Sequence, residues 1–114
     1  MYKILNQEGE TVAYIQNMMI LNKKREKVIG LVIGDCFFGN DTKVIGKIID
    51  QKVYLLNGEI IGTIEANKDK KDPELKKGLM LEAWEILSNI KSHTSDWITI
   101  SKKWSKKSLI EVLQ

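Results

Sequence analysis

The chain has 114 residues, 43% of them hydrophobic and 29% charged, with a formal net charge of +3. That is the composition of an ordinary soluble globular protein, long enough for one domain with a real core. A single cysteine, Cys36, and a single histidine, His93, exclude an intrachain disulfide and a structural zinc site built from one chain.

The start, MYKILNQEGE, lacks the basic stretch and apolar run of a secretory signal. No apolar segment approaches the ~18 residues of a membrane span. The expected location is therefore the cytoplasm. Charge is unevenly placed. Through residue 67, eight Lys/Arg face eight acids; beyond it, ten lysines face seven acids, so the whole +3 lies in the last third.

From the N-terminus, four similar units follow one another: YKILNQEGETVAYIQN from 2, MMILNKKREKVIGLVIGD from 18, CFFGNDTKVIGKIIDQ from 36 and KVYLLNGEIIGTIEAN from 52. Each has an apolar run ending at an asparagine (Asn6, Asn22, Asn40, Asn57) and crosses a polar turn. It then re-enters an apolar run with a small residue at one place: Ala13, Gly30, Gly46, Gly62. A branched aliphatic follows two positions later (Ile15, Val32, Ile48, Ile64), and Val12, Ile29, Ile45 or Ile61 immediately precedes the small residue. Searching for such internal similarity comes before any finer reading.

Alternation of period two makes the runs strands. It places Val28-Gly30-Val32, Val44-Gly46-Ile48 and Ile60-Gly62-Ile64 on one apolar or small face, the expected core face. Asn57-Gly58 suits a two-residue type I′ hairpin, because both residues tolerate positive φ. Glu8-Gly9 and Gly39-Asn40-Asp41 suggest slightly longer turns, and Lys23-Lys24-Arg25-Glu26 the widest. The recurring small residue is expected where strands converge on a common axis and backbones come close. One hairpin is marginal in water, so four must share a core.

This pattern of four hairpin units, a recurring small residue and an Asn-Gly turn resembles the four-fold β-flower proteins, a small bacterial group, over about residues 2 to 67. The resemblance implies a pseudo-four-fold array of hairpins followed by a variable tail. It brings no established activity and no functional residues. NGEIIGTIE and KVIGKIID also look like the strand–turn–strand core of PRC-barrel domains, which act as assembly or RNA-processing adaptors; the fourfold count departs from that family.

After Ala66 the character changes. NKDKKDPELKK (67–77) marks a boundary between a four-hairpin domain, 1–67, and a charged linker with a helical tail, 68–114. Asp72-Pro73-Glu74 is a helix start: a cap, a proline at the first helical position, an acid near the positive end. Helical spacing of Leu75, Leu79, Ala83, Ile86, Leu87 and Ile90 carries the helix to about Ser92, with Met80 and Trp84 broadening its apolar stripe. That stripe must bury against the hairpins or a second subunit. Ser95 to Ile100 reads as a short strand or extended segment. A final helix over about 105 to 113 turns Leu109, Val112 and Leu113 inward, with Trp104 at its edge.

Candidate chemistry is sparse. His93 sits past a helix end without a nucleophile partner, and Cys36, beside Phe37 and Phe38, behaves as a small hydrophobe. Asp35, Asp41, Asp50 and Glu59 lie at turns, where acids are turn formers; a pair of them in a cleft would be needed for hydrolase chemistry. Neither GxGxxG nor a Walker-type GKS or GKT occurs, and no cofactor or metal is implied. Lys102, Lys103, Lys106 and Lys107 flank Trp104 as a candidate anion-binding patch. Seventeen lysines to one arginine argue against base readout, which favours arginine. The expected function is a non-enzymatic protein-binding or scaffold module, in its simplest form a homodimer through the tail. The rivals are nucleic-acid or anionic-surface binding by the lysine patch, and a small hydrolase with a site among turn carboxylates.

Overall fold

The structure, a computed structural model, describes residues 1–39, 43–66, 77–90 and 98–113. It is mainly β. Eight strands, β1 (Tyr2–Leu5), β2 (Thr11–Gln16), β3 (Met19–Leu21), β4 (Val28–Ile33), β5 (Cys36–Phe38), β6 (Val44–Ile49), β7 (Lys52–Leu55) and β8 (Ile60–Ala66), pair in chain order. Every pair is antiparallel, and β8 pairs with β1 to close a barrel. Closure removes the unpaired edges that short strands otherwise expose. Among the described residues two helices follow, α1 (Lys77–Asn89) and α2 (Leu109–Leu113).

Ile4 stands opposite Ala13, Ile20 opposite Gly30, Phe37 opposite Gly46, and Val53 opposite Gly62. Directly after each of these pairs the register slips by one residue. The extra residues are Val12, Ile29, Ile45 and Ile61. A bulge of this kind breaks the strict alternation of faces, which corrects the sequence reading. Ile61 belongs to the barrel core and Val12, Ile29 and Ile45 pack against it, whereas Val28 lies in a separate cluster outside the barrel.

The glycines answer to backbone crowding. A Cβ on Gly30 would meet the Phe38 carbonyl on β5, and one on Gly46 the Tyr54 carbonyl on β7. At Gly62 it would stand 2.8 Å from Ile4 Cγ2 and 3.3 Å from the Leu5 carbonyl on β1. Each obstruction comes from the strand that begins the next hairpin, around to the first.

The turns differ from expectation. Asn57-Gly58 is not a two-residue turn: Gly58 N–H donates to the Leu55 carbonyl, Leu55 N–H to the Glu59 carbonyl, and Gly58 alone takes positive φ, +90°. This is a three-residue loop, a turn followed by a left-handed residue. Asn6 to Glu10 closes the same way, with Gly9 at +81°. Asn6 thus corresponds in its loop to Leu55, not to Asn57. The tight two-residue turns lie between the hairpins. Asn17-Met18 and Asp50-Gln51 have positive φ at both residues, as type I′ requires, and Gly34-Asp35 has it at Gly34. Asn40 and Asp41 lie outside the described residues.

Leu109 and Leu113 of α2 belong to the barrel core, with Val112 packed against it, so the helix plugs the end where the hairpin loops gather. It is shorter than 105–113. Ser108 and Glu111 cap it reciprocally, each donating its N–H to the other's side-chain oxygen at 3.2 Å. Before it, residues 98–105 form a strap over the β7–β8 loop. Ser101 N–H donates to the Gly58 carbonyl, Ile60 N–H to the Lys103 carbonyl, and Ser105 N–H to the Ile60 carbonyl. Trp104 makes an isolated parallel bridge to Ile60. Of the segment expected as a short strand or extended stretch, Ile98 to Ile100 form no strand, and Ser95 to Trp97 lie outside the described residues.

Candidate docking groove

Helix α1 lies on the outer wall of the barrel. Leu79, Ala83, Ile86, Leu87 and Ile90 pack against Met19, Leu21, Val28 and Leu31 of β3 and β4, with Tyr14 of β2 at the margin. These positions, the last of them just past the helix end, are among those whose spacing predicted burial; Leu75 lies outside the described residues. A polar contact fixes the helix further: Val28 N–H donates to Glu82 Oε2 at 3.0 Å. The observed helix, Lys77–Asn89, ends short of Ser92; its predicted start at Asp72-Pro73-Glu74 lies outside the described residues.

Met80 and Trp84 do not join the buried stripe. They are 49% and 63% exposed, and Leu81 beside them is 65% exposed. Between this side of α1 and the barrel wall runs a groove of about 290 Å³, lined by Asn17, Met18, Met19, Leu31, Ile33, Met80, Ala83, Trp84 and Leu87. Among the described residues Asn17 is its one polar lining residue. All three methionines other than Met1 line it. Methionine is unbranched and polarizable, suited to surfaces that adapt to an apolar guest.

The candidate lysine patch spans the end of the strap and the residues leading into α2. Lys102, Lys103, Lys106 and Lys107 are exposed and Trp104 is half-buried. Trp104, Lys106 and Lys107 line a second cavity of about 510 Å³, between the 6–8 loop and the start of α2. Glu8 and Glu111 line it too, so the field there is mixed. The lysine pairs do not share a helix face, because residues 102–107 are not helical.

Of the described turn carboxylates, Glu59 is set apart from Asp35 and Asp50 by the length of the barrel. Asp35 and Asp50 occupy turns between hairpins, while Glu59 sits in the β7–β8 loop at the other end of the barrel. Asp35 accepts from Cys36 Sγ at 3.4 Å and stands 3.7 Å from Lys47 Nζ, opposite Cys36 across β5–β6. With the Lys47 side chain 10% exposed and that of Asp35 60% exposed, the ion pair keeps a nearly buried ammonium partnered at the barrel surface. Among the described residues no three His, Cys, Asp or Glu side chains gather as a metal site would need. His93 and Asp41 lie outside them. Among the same residues no helix is long and apolar enough to cross a membrane.

No family model, curated protein or solved structure matches this chain.

Proposed function

We propose that this chain is a non-enzymatic binding module that docks a protein on the outward face of α1. The observation that carries the reading is Trp84. A tryptophan on a helix, 63% exposed at the lip of an apolar methionine-lined groove, matches the aromatic anchor beside a pocket found at the centre of protein interfaces. Contiguous apolar surface of this kind on a soluble chain marks a contact site. The expected β-flower kinship is part of the same proposal. Four equal registers, four bulges after the same pair, and carbonyls of the next hairpin crowding Gly30, Gly46 and Gly62 support a barrel made from one hairpin copied four times. The barrel is then a rigid pedestal, and the tail carries the contact.

The test is a photoreactive residue at position 81 in cells that make the protein, compared with one at position 52. Adducts concentrated at position 81 support the reading. Equal yields from the two positions would overturn it.

Four exposed lysines around Trp104 favour a second reading, contact with a nucleic acid or another anionic surface through the strap. Its affinity should fall steeply as salt rises, since each phosphate contact releases counterions. Binding that is absent or indifferent to salt would dispose of it.

A further inference from the structure

Resting on the docking face just proposed, we infer that its occupant is a second copy of this chain, with Trp84 of each copy seated in the other's groove. The first argument is shape. A two-fold interface presses one patch against itself, so the patch must contain both a projection and its receptacle. Trp84 and Leu81 project from α1, one turn apart, and the groove that Trp84 lines is floored by Met19, Leu31 and Ile33.

The second argument is area. Met18, Met80, Leu81 and Trp84 are 57, 49, 65 and 63% exposed. At ~150–250 Å² for a fully exposed large side chain, they offer roughly 500 Å² per copy, so pairing removes about 1,000 Å² in all, the lower limit of a specific interface. The third argument is charge. Among the described residues nothing ionic lines the groove, so two copies meet there without like charges from those residues being buried together. An interface at that lower limit is reversible, and the chain should exchange between monomer and dimer as concentration changes.

The experiment is sedimentation of the purified full-length chain over a dilution series, repeated for Trp84→Lys, Leu81→Lys and Leu56→Lys. Leu56 is also half exposed but lies in the β7–β8 loop, far along the chain from α1. The expected result is a concentration-dependent dimer that both α1 substitutions abolish, with Leu56→Lys matching the unaltered chain. Because the replaced side chains are exposed, thermal melts should not change, which separates lost docking from lost folding. A dimer indifferent to Trp84→Lys, or a monomer at all concentrations up to about 1 mM, overturns the inference. If a monomeric chain still gives adducts with another protein from position 81, the second copy is wrong and the docking face stands. If no adducts form either, both fail.

Discussion

Phe37 stands directly opposite Gly46 across β5 and β6, and a Cβ on that glycine would lie 2.7 Å from Phe37 Cε1. The fully buried phenyl ring thus occupies space that a side chain at position 46 would need. The Tyr54 carbonyl crowds the same point from β7, and backbone cannot turn aside as a flexible side chain can.

Gly46→Ala should therefore destabilise the barrel by about 3 kcal/mol, the upper end of the usual overpacking range. Gly78→Ala is the control. Its Cβ meets nothing within 4 Å, and in a helix it should be neutral or stabilising by up to about 1 kcal/mol. Denaturant unfolding of the two variants measures the contrast.

Two loop glycines separate conformational cost from crowding. Gly9 has φ +81° with open space around it, whereas Gly58 has φ +90° with the Thr99 carbonyl where a Cβ would go. Gly9→Ala should cost about 1 kcal/mol, the left-handed penalty alone. Gly58→Ala should cost more and loosen the strap. Amide exchange at Ile60 and Ser105 should quicken in the second variant only.

The seat of α1 depends on one charged acceptor. Glu82→Ala leaves the Val28 N–H without its carboxylate partner, at a cost of about 1.5–3 kcal/mol for a hydrogen bond to a charged group. Glu82→Gln keeps an acceptor and should lose less than half of that. Thermal unfolding of both variants decides whether the contact or the charge matters.

How much of this was legible in the sequence follows from what each signal encodes. Period-two alternation marks strands, and small residues recurring at Gly30, Gly46 and Gly62 mark the crowded positions, because both depend on residue type. The inward stripe of α1 was legible for the same reason. The bulges were not. An extra residue such as Ile45 looks like any other isoleucine, and only pairing reveals that it turns inward beside Gly46. The two-residue turns were hidden because Met18 and Gln51 occupy positions where glycine is usual. The strap is held by main-chain hydrogen bonds at Gly58 and Ile60, which leave no mark on residue choice beyond Gly58. Exposure of Trp84 could not be read either, since helical spacing places it beside the buried stripe and not outside it.

Met18 carries its side chain into the groove from a backbone with φ +68°. An L side chain there costs about 1–2 kcal/mol relative to a right-handed conformation. Met18→Gly should consequently raise the melting temperature, because glycine adopts that φ freely, while it weakens docking by removing one wall of the groove. A variant both more stable and poorer at association is the expected outcome of paired melting and binding measurements.

Methionine-methyl NMR probes the proposed docking face most directly, since Met18, Met19 and Met80 line the groove and Met1 is not among its lining residues. As the chain is concentrated, or as a captured partner is added, the three groove methyl signals should shift together while that of Met1 stays in place. Resonances that remain fixed throughout, or a shift confined to Met1, would contradict the account.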